Sequence, residues 1–167
     1  AHLYAPLRSG TDIAFLGGMI KYIFDNKLYF KEYVQYYTNA SFLVNPDYKG
    51  PGELDGLFSG YDEKTRKYDK KTWSYQMGED GFAKVDETWQ DPNCVWQLMR
   101  THYSRYTPEM VSRVCGTPKD AFLKVCEYIA ETAAPNKTMT SLYALGWTQH
   151  SVGSQNIRCM AILQQLL

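Results

Sequence analysis

The sequence predicts an α/β fold with a parallel sheet, on three observations. Its last third runs helix, short apolar stretch, polar loop, helix, which is the rhythm of a sheet covered by helices. The apolar stretch, "TSLYALGW" at 140–147, is nearly continuous and bounded by polar residues, as a strand buried on both faces would be. A second loop of matching design, "RSGTD" at 8–12, stands between an apolar segment and a helical pattern.

The elements follow in order. "AHLYAPL" reads as the tail of a strand entering a loop. Ile13, Leu16, Ile20, Ile23 and Phe24 then form one apolar stripe, predicting a helix to about Asn26, with Thr11 or Asp12 as its N-cap. A short helix is expected around "KEYVQYYT" (31–38), completing a first region over 1–44. Residues 45–90 are rich in Gly, Pro, Asp and Lys with scattered apolar side chains. They predict an irregular surface excursion with a hairpin at "EDG" (79–81).

The third region, 91–167, returns to regular structure. Asp91 is the expected cap and Pro92 the first helical residue, with Val95, Leu98, Met99 and His102 on one face. That places His102 at the edge of the core. Thr107-Pro108 opens the next helix and Gly116 ends it; Thr117-Pro118 opens another, with Phe122, Val125, Cys126, Ile129 and Ala133 on one side. Pro135 breaks that helix. The expected strand, the polar loop "GWTQHSVG" and a helix to the end of the chain complete the pattern.

Composition bounds the function. A chain of 167 residues can bury a substantial core. Eighteen basic and eighteen acidic residues cancel, so nothing in the charge draws the chain to nucleic acid or an anionic membrane. Fourteen tyrosines suit a piece of a larger assembly with much half-buried surface. Cys94, Cys115, Cys126 and Cys159 are scattered without a C-x-x-C pair, which argues for buried free thiols over a cluster or zinc site. There is no signal-peptide pattern, and no apolar run approaches the ~20 residues that span a bilayer. Opening on Ala1 and closing on the greasy "CMAILQQLL", the chain reads as an internal fragment.

The two loops carry the chemistry. In open parallel sheets ligands bind where loops leave the carboxyl ends of strands. Gly146 would allow close backbone approach and Gly153 a tight first turn, while Thr148, Gln149 and Ser151 offer hydrogen bonds beside the free N–H groups of a helix start. In the first loop, Arg8 supplies a cation, Ser9 and Gly10 flexibility, and Asp12 a carboxylate able to accept two hydrogen bonds from a guanine edge. Thr11 and Asp12 are also preferred caps, and spacing alone leaves both readings open. His150 reads equally as a surface or capping histidine. No phosphate loop, G-x-G-x-x-G or Ser-His-Asp set is present.

The segments "RSGTDIAFLGGM", "YTNASFLV", "DGLFSGYD", "KYDKKTW", "SRYTPEMV", "CGTPKDAFLKVCEYIAET" and "YALGWTQHSVGSQNIR" together resemble the catalytic (alpha) subunit of bacterial respiratory formate dehydrogenases. These belong to the molybdenum/tungsten bis(molybdopterin guanine dinucleotide) oxidoreductases, the dimethyl sulfoxide reductase family. The resemblance covers nearly all 167 residues and implies a Rossmann-like parallel-sheet domain. It implies that Ser9, Gly10, Thr11 and Asp12 bind the guanosine end of one pterin dinucleotide. It sets Leu145, Gly146, Trp147, Thr148 and Gln149 beside the cofactor, and makes His150 the candidate catalytic group of the substrate pocket.

The same resemblance implies formate as substrate and a periplasmic location. The partners it implies are the remainder of the catalytic subunit, plus an iron–sulfur electron-transfer subunit. The metal-ligating cysteine or selenocysteine and the residues holding a 4Fe–4S cluster are expected outside these residues, so no metal ligand is assigned here and the segment alone is expected to be inactive. Two alternatives stand beside it. One keeps the cofactor and changes the substrate to nitrate or a sulfur oxyanion. The other is a non-catalytic α/β binding module.

Overall fold

Seven helices and one small hairpin make up residues 2–167, which the computed structural model describes. They fall into two compact units, residues 2–38 with 100–167 and residues 39–99.

The first unit is helical. α1 (Asp12–Asn26) buries Ala14, Phe15, Leu16, Met19, Ile20, Ile23 and Phe24, and ends at Lys27 in the left-handed conformation. α2 (Lys31–Tyr37) follows. α3 (Val95–Tyr103) carries the chain across from the second unit. α4 (Pro108–Cys115) opens on Thr107, whose hydroxyl accepts the Met110 N–H at 3.2 Å, and closes on Gly116 at φ +74°. α5 (Lys119–Ala130), the four-residue α6 (Leu145–Thr148) and α7 (Gly153–Leu166) complete it.

α1 is the spine of this unit and packs on α4, α5 and α7. At its centre Phe122 of α5 meets Phe15 edge-on, ring centroids 5.2 Å apart, and both Phe122 and Val111 are fully buried. Burial of each such side chain contributes about 1.5–3 kcal/mol. The approach is close because Gly18 of α1 has no side chain: a Cβ there would lie 2.4 Å from Val111 Cγ2 and 2.8 Å from Phe122 Cζ. The Phe30 N–H, just past the end of α1, donates to the carbonyl of Leu166, the last residue of α7 (2.8 Å). That bond ties the segment after α1 to the C-terminal end of α7.

The second unit is mostly irregular. β1 (Tyr61–Asp62) and β2 (Lys67–Tyr68) pair antiparallel, with Tyr61 opposite Tyr68. The turn expected at 79–81 is present, closed by a bridge between Met77 and Ala83, with Gly81 at φ +80°. Phe58 gathers Tyr48, Tyr68 and Trp73 around it. Stacked Trp89 and Trp96, 4.3 Å apart, form a second centre, where the Trp89 indole donates to Ser41 Oγ (2.8 Å) and the Cys94 thiol to the Ala40 carbonyl (3.0 Å).

Four expectations are corrected. The parallel sheet is not formed: among the described residues the only paired strands are the antiparallel β1 and β2. Residues 140–147 are not a strand; they run without regular structure to Ala144 and then turn into α6, with Leu142 92% exposed. A strand buried on both faces needs a neighbour on each edge, and the described residues supply none. The same holds for residues 2–7, which form no strand. Finally, α3 begins at Val95 and not at Pro92, because Asp91 Oδ1 accepts the Asn93 N–H (2.7 Å) and holds residues 91–93 in a turn.

Candidate functional site

The loop before α1 is held in place by its own unit. Thr11 occupies the N-cap position of α1, but its hydroxyl makes no capping bond; it donates to the Arg8 carbonyl at 2.6 Å. Asp12 is 8% exposed, and no hydrogen-bond donor among the described residues reaches its carboxylate. Its oxygens nevertheless still touch solvent. The N–H groups of Asp12 and Ile13 also find no acceptor among the described residues. Ser9 and Gly10 are exposed, Gly10 at φ +80° with open space where a side chain would stand. This end of α1 thus offers two N–H donors and one carboxylate acceptor, none committed within the chain.

Arg8 is not the loose cation that its sequence position suggests. Its guanidinium Nη1 donates to the carbonyls of Arg113 (2.8 Å) and Val114 (3.0 Å), the C-terminal end of α4, where positive charge suits the helix dipole. Its backbone N–H donates to the Cys115 carbonyl at 2.8 Å. The fully buried Thr117 donates from its hydroxyl to the Pro6 carbonyl (2.6 Å), and the Cys115 thiol lies 3.5 Å from the Thr11 carbonyl.

The second loop is more open. Leu145, Gly146 and Thr148 of α6 are exposed, as is Gln149, while Trp147 and His150 are half-buried. Trp147 stacks on Tyr143 at 5.6 Å. No other residue approaches the position a Gly146 side chain would take. Gly153 is different: a Cβ there would sit 2.3 Å from the Thr148 carbonyl oxygen, so only glycine allows the chain to fold back at the start of α7. The His150 carbonyl accepts the Gly153 N–H at 3.0 Å.

Asn156 escaped the sequence reading. It is 1% exposed, its Nδ2 donates to the Trp147 carbonyl at 3.1 Å, and its Oδ1 is buried without a partner. Arg8 and Thr117 were also missed as supports of the first loop, because nothing local marks a bond that spans more than one hundred residues.

All four cysteines are buried and free. Burial pushes the Cys126 thiol up to about 12 and raises those of Cys94, Cys115 and Cys159 as well. Thiols so held are packing groups and poor nucleophiles. His102 is on the surface, edge-on to Tyr103, with its Nδ1 2.8 Å from Arg105 Nη2. Among the described residues no group of three or more His, Cys, Asp or Glu side chains could hold a metal ion, and no helix is long and apolar enough to cross a membrane.

Comparison with known proteins defines the chain first as a relative of oxidoreductase subunits. No family model matches it. Its likeness is to the formate dehydrogenase major subunits, with which it is homologous over its whole length. It is 62% identical over 167 residues to the formate dehydrogenase-O major subunit of Escherichia coli (strain K12), and 58% identical over the same span to the nitrate-inducible major subunit of that organism. It is 54% identical over 165 residues, 99% of the chain, to the alpha subunit of formate dehydrogenase from Megalodesulfovibrio gigas. In each case the chain spans 16% of the relative's length.

Proposed function

We propose that the polypeptide containing these 167 residues oxidises formate to carbon dioxide at a molybdenum or tungsten bis(molybdopterin guanine dinucleotide) centre. The observation that carries this is the 62% identity, over every residue of the chain, to a formate dehydrogenase major subunit. Likeness to a sulfite dehydrogenase of Allochromatium vinosum is much weaker, at 24%, which favours formate over a sulfur oxyanion.

The residues present fit the cofactor's nucleotide end. A guanine edge offers two N–H donors to one carboxylate, and Asp12 has an uncommitted carboxylate beside an open, glycine-containing turn. The free N–H groups of Asp12 and Ile13 suit the oxygen atoms of the dinucleotide. Ser9, Gly10, Thr11 and Asp12 would hold that end, and Leu145, Gly146, Trp147, Thr148 and Gln149 would line the cofactor from the second loop. On this reading the segment is part of a Rossmann-like parallel-sheet domain whose strands lie elsewhere in the longer polypeptide, which would cover Leu142, Tyr143 and Leu145.

Formate yields carbon dioxide, one proton and two electrons. When bound, the metal–pterin centre would supply the acceptor for the electron pair; a 4Fe–4S cluster in the full-length polypeptide and an iron–sulfur subunit are the further partners that this reading implies. His150, half-exposed at the end of the second loop, orients the formate anion or takes up its proton. The enzyme on this reading is periplasmic, as the resemblance implies.

The test is formate-dependent reduction of a viologen dye by the purified full-length protein, with molybdenum or tungsten measured in the same sample. Turnover with formate, and none by the 167-residue segment alone, is expected. Turnover with nitrate or sulfite in place of formate would overturn the substrate, and a full-length protein that carries neither metal nor pterin would overturn the function.

A further inference from the structure

Residues 113–117, which the sequence marks only as the end of one helix and the start of the next, lie against the loop that opens α1. Five hydrogen bonds join the two segments. Arg8 Nη1 donates to the carbonyls of Arg113 and Val114, the Arg8 N–H to that of Cys115, the Thr117 hydroxyl to that of Pro6, and the Cys115 thiol to that of Thr11. Thr11 closes the turn from inside, its hydroxyl and its N–H both directed to the Arg8 carbonyl at 2.6 and 3.2 Å.

Two features show that this is a fitted surface. Gly116, at φ +74°, lets the Arg8 guanidinium come so near that a Cβ there would stand 3.2 Å from Arg8 Cζ. Thr117 is fully buried, and its hydroxyl has a single short partner. Ser9 and Gly10, by contrast, are exposed between the tethered residues 6, 8 and 11. The loop is anchored on either side of its open part, an arrangement that fixes shape while leaving the binding groups free.

We propose that Thr117 and Arg8 are positioning residues for the nucleotide end of the cofactor: they hold residues 8–12 against the end of α4 in the shape that accepts it. This rests on the reading that Ser9–Asp12 bind that end, and it adds two residues that touch no ligand themselves. Thr117 acts through the Pro6 carbonyl, and Arg8 through the α4 carbonyls.

The experiment follows guanine nucleotide retained per polypeptide during dialysis of the full-length holoenzyme, after acid release of the nucleotide. Thr117→Val keeps the shape and removes the hydroxyl; it should lose nucleotide about fivefold faster than wild type, the scale of one neutral hydrogen bond. Thr117→Ser should restore the wild-type rate, which a purely packing role for Thr117 would not produce. Arg8→Gln, at an exposed position, should also lose nucleotide faster, and it carries the test alone if Thr117→Val does not accumulate. Wild-type retention in Thr117→Val or, failing that protein, in Arg8→Gln overturns the assignment, as does a Thr117→Ser protein no better than Thr117→Val. Asp12→Asn separates this from the underlying reading. If only Asp12→Asn sheds nucleotide, the loop binds it and the tethers are irrelevant; if Asp12→Asn also retains it, the loop does not bind nucleotide at all.

Discussion

Asp86 shows how much one side chain can organise. Its carboxylate accepts the backbone N–H groups of Thr88, Gln90 and Asp91 and the Thr88 hydroxyl. These bonds, the Asp91 N–H foremost and the Thr88 hydroxyl next, hold its pKa down at about 2. A carboxyl whose folded pKa is depressed stabilises above its unfolded pKa of about 3.9 and loses that contribution as pH falls toward 2. Amide exchange should therefore accelerate at Thr88, Gln90 and Asp91, relative to neighbouring amides, as pH drops from about 4 to 2. In Asp86→Asn those amides should exchange at one relative rate across the range; persistence of the pH dependence would show that another group governs this turn. The sequence marks residues up to 90 only as part of an irregular excursion and cannot show that one carboxylate accepts four bonds, because that depends on backbone angles that composition does not specify.

At the scale of the element, helices were legible where one stripe decided them. Apolar spacing located α1, α5 and α7, and Thr107, Pro108 and Gly116 alone marked both ends of α4. The start of α3 was not legible, since Asp91 spends its side chain on a local turn instead of capping a helix at Pro92. The strand at 140–147 was not realised because strands, unlike helices, satisfy their backbone through other segments. Adjacent glycines in α1 show packing overriding propensity. Alanine in place of a helical glycine normally gains up to about 1 kcal/mol. At Gly17 the nearest atoms to a new methyl are those of the half-buried Tyr106 ring, at 3.0 Å, and a shift of that ring by a few tenths of an ångström would make room, so Gly17→Ala should be close to neutral. At Gly18 the methyl would strike fully buried Val111 and Phe122, and an overpacked core costs about 1–3 kcal/mol. Gly18→Ala should accordingly lower the thermal midpoint by several degrees. Equal midpoints for the two variants would refute the packing shown around α1.

For the whole molecule, the division of labour between the two units sets what each region of sequence could reveal. The first unit carries both loops of the candidate site, and their chemistry was visible as polar residues at the starts of two helices. What was invisible was their support: Arg8 and Thr117 make bonds across sequence separations of 105 to 111 residues, and Asn156 fixes the Trp147 carbonyl from within α7. The second unit was legible as irregular but not as ordered around Phe58 and the Trp89–Trp96 stack, since aromatic clusters have no fixed period. Dependence of turnover on the longer polypeptide belongs at this scale too: the chain spans 16% of its relatives, and the assay of segment against full-length protein measures that dependence directly.

Leu142 stands 92% exposed beside Tyr143 and Leu145, and no backbone N–H of residues 138–143 donates to an acceptor among the described residues. Such a ribbon is an adhesive margin. Separated from its parent, the segment should self-associate through it, so that turbidity rises with concentration in wild type and falls sharply in Leu142→Lys.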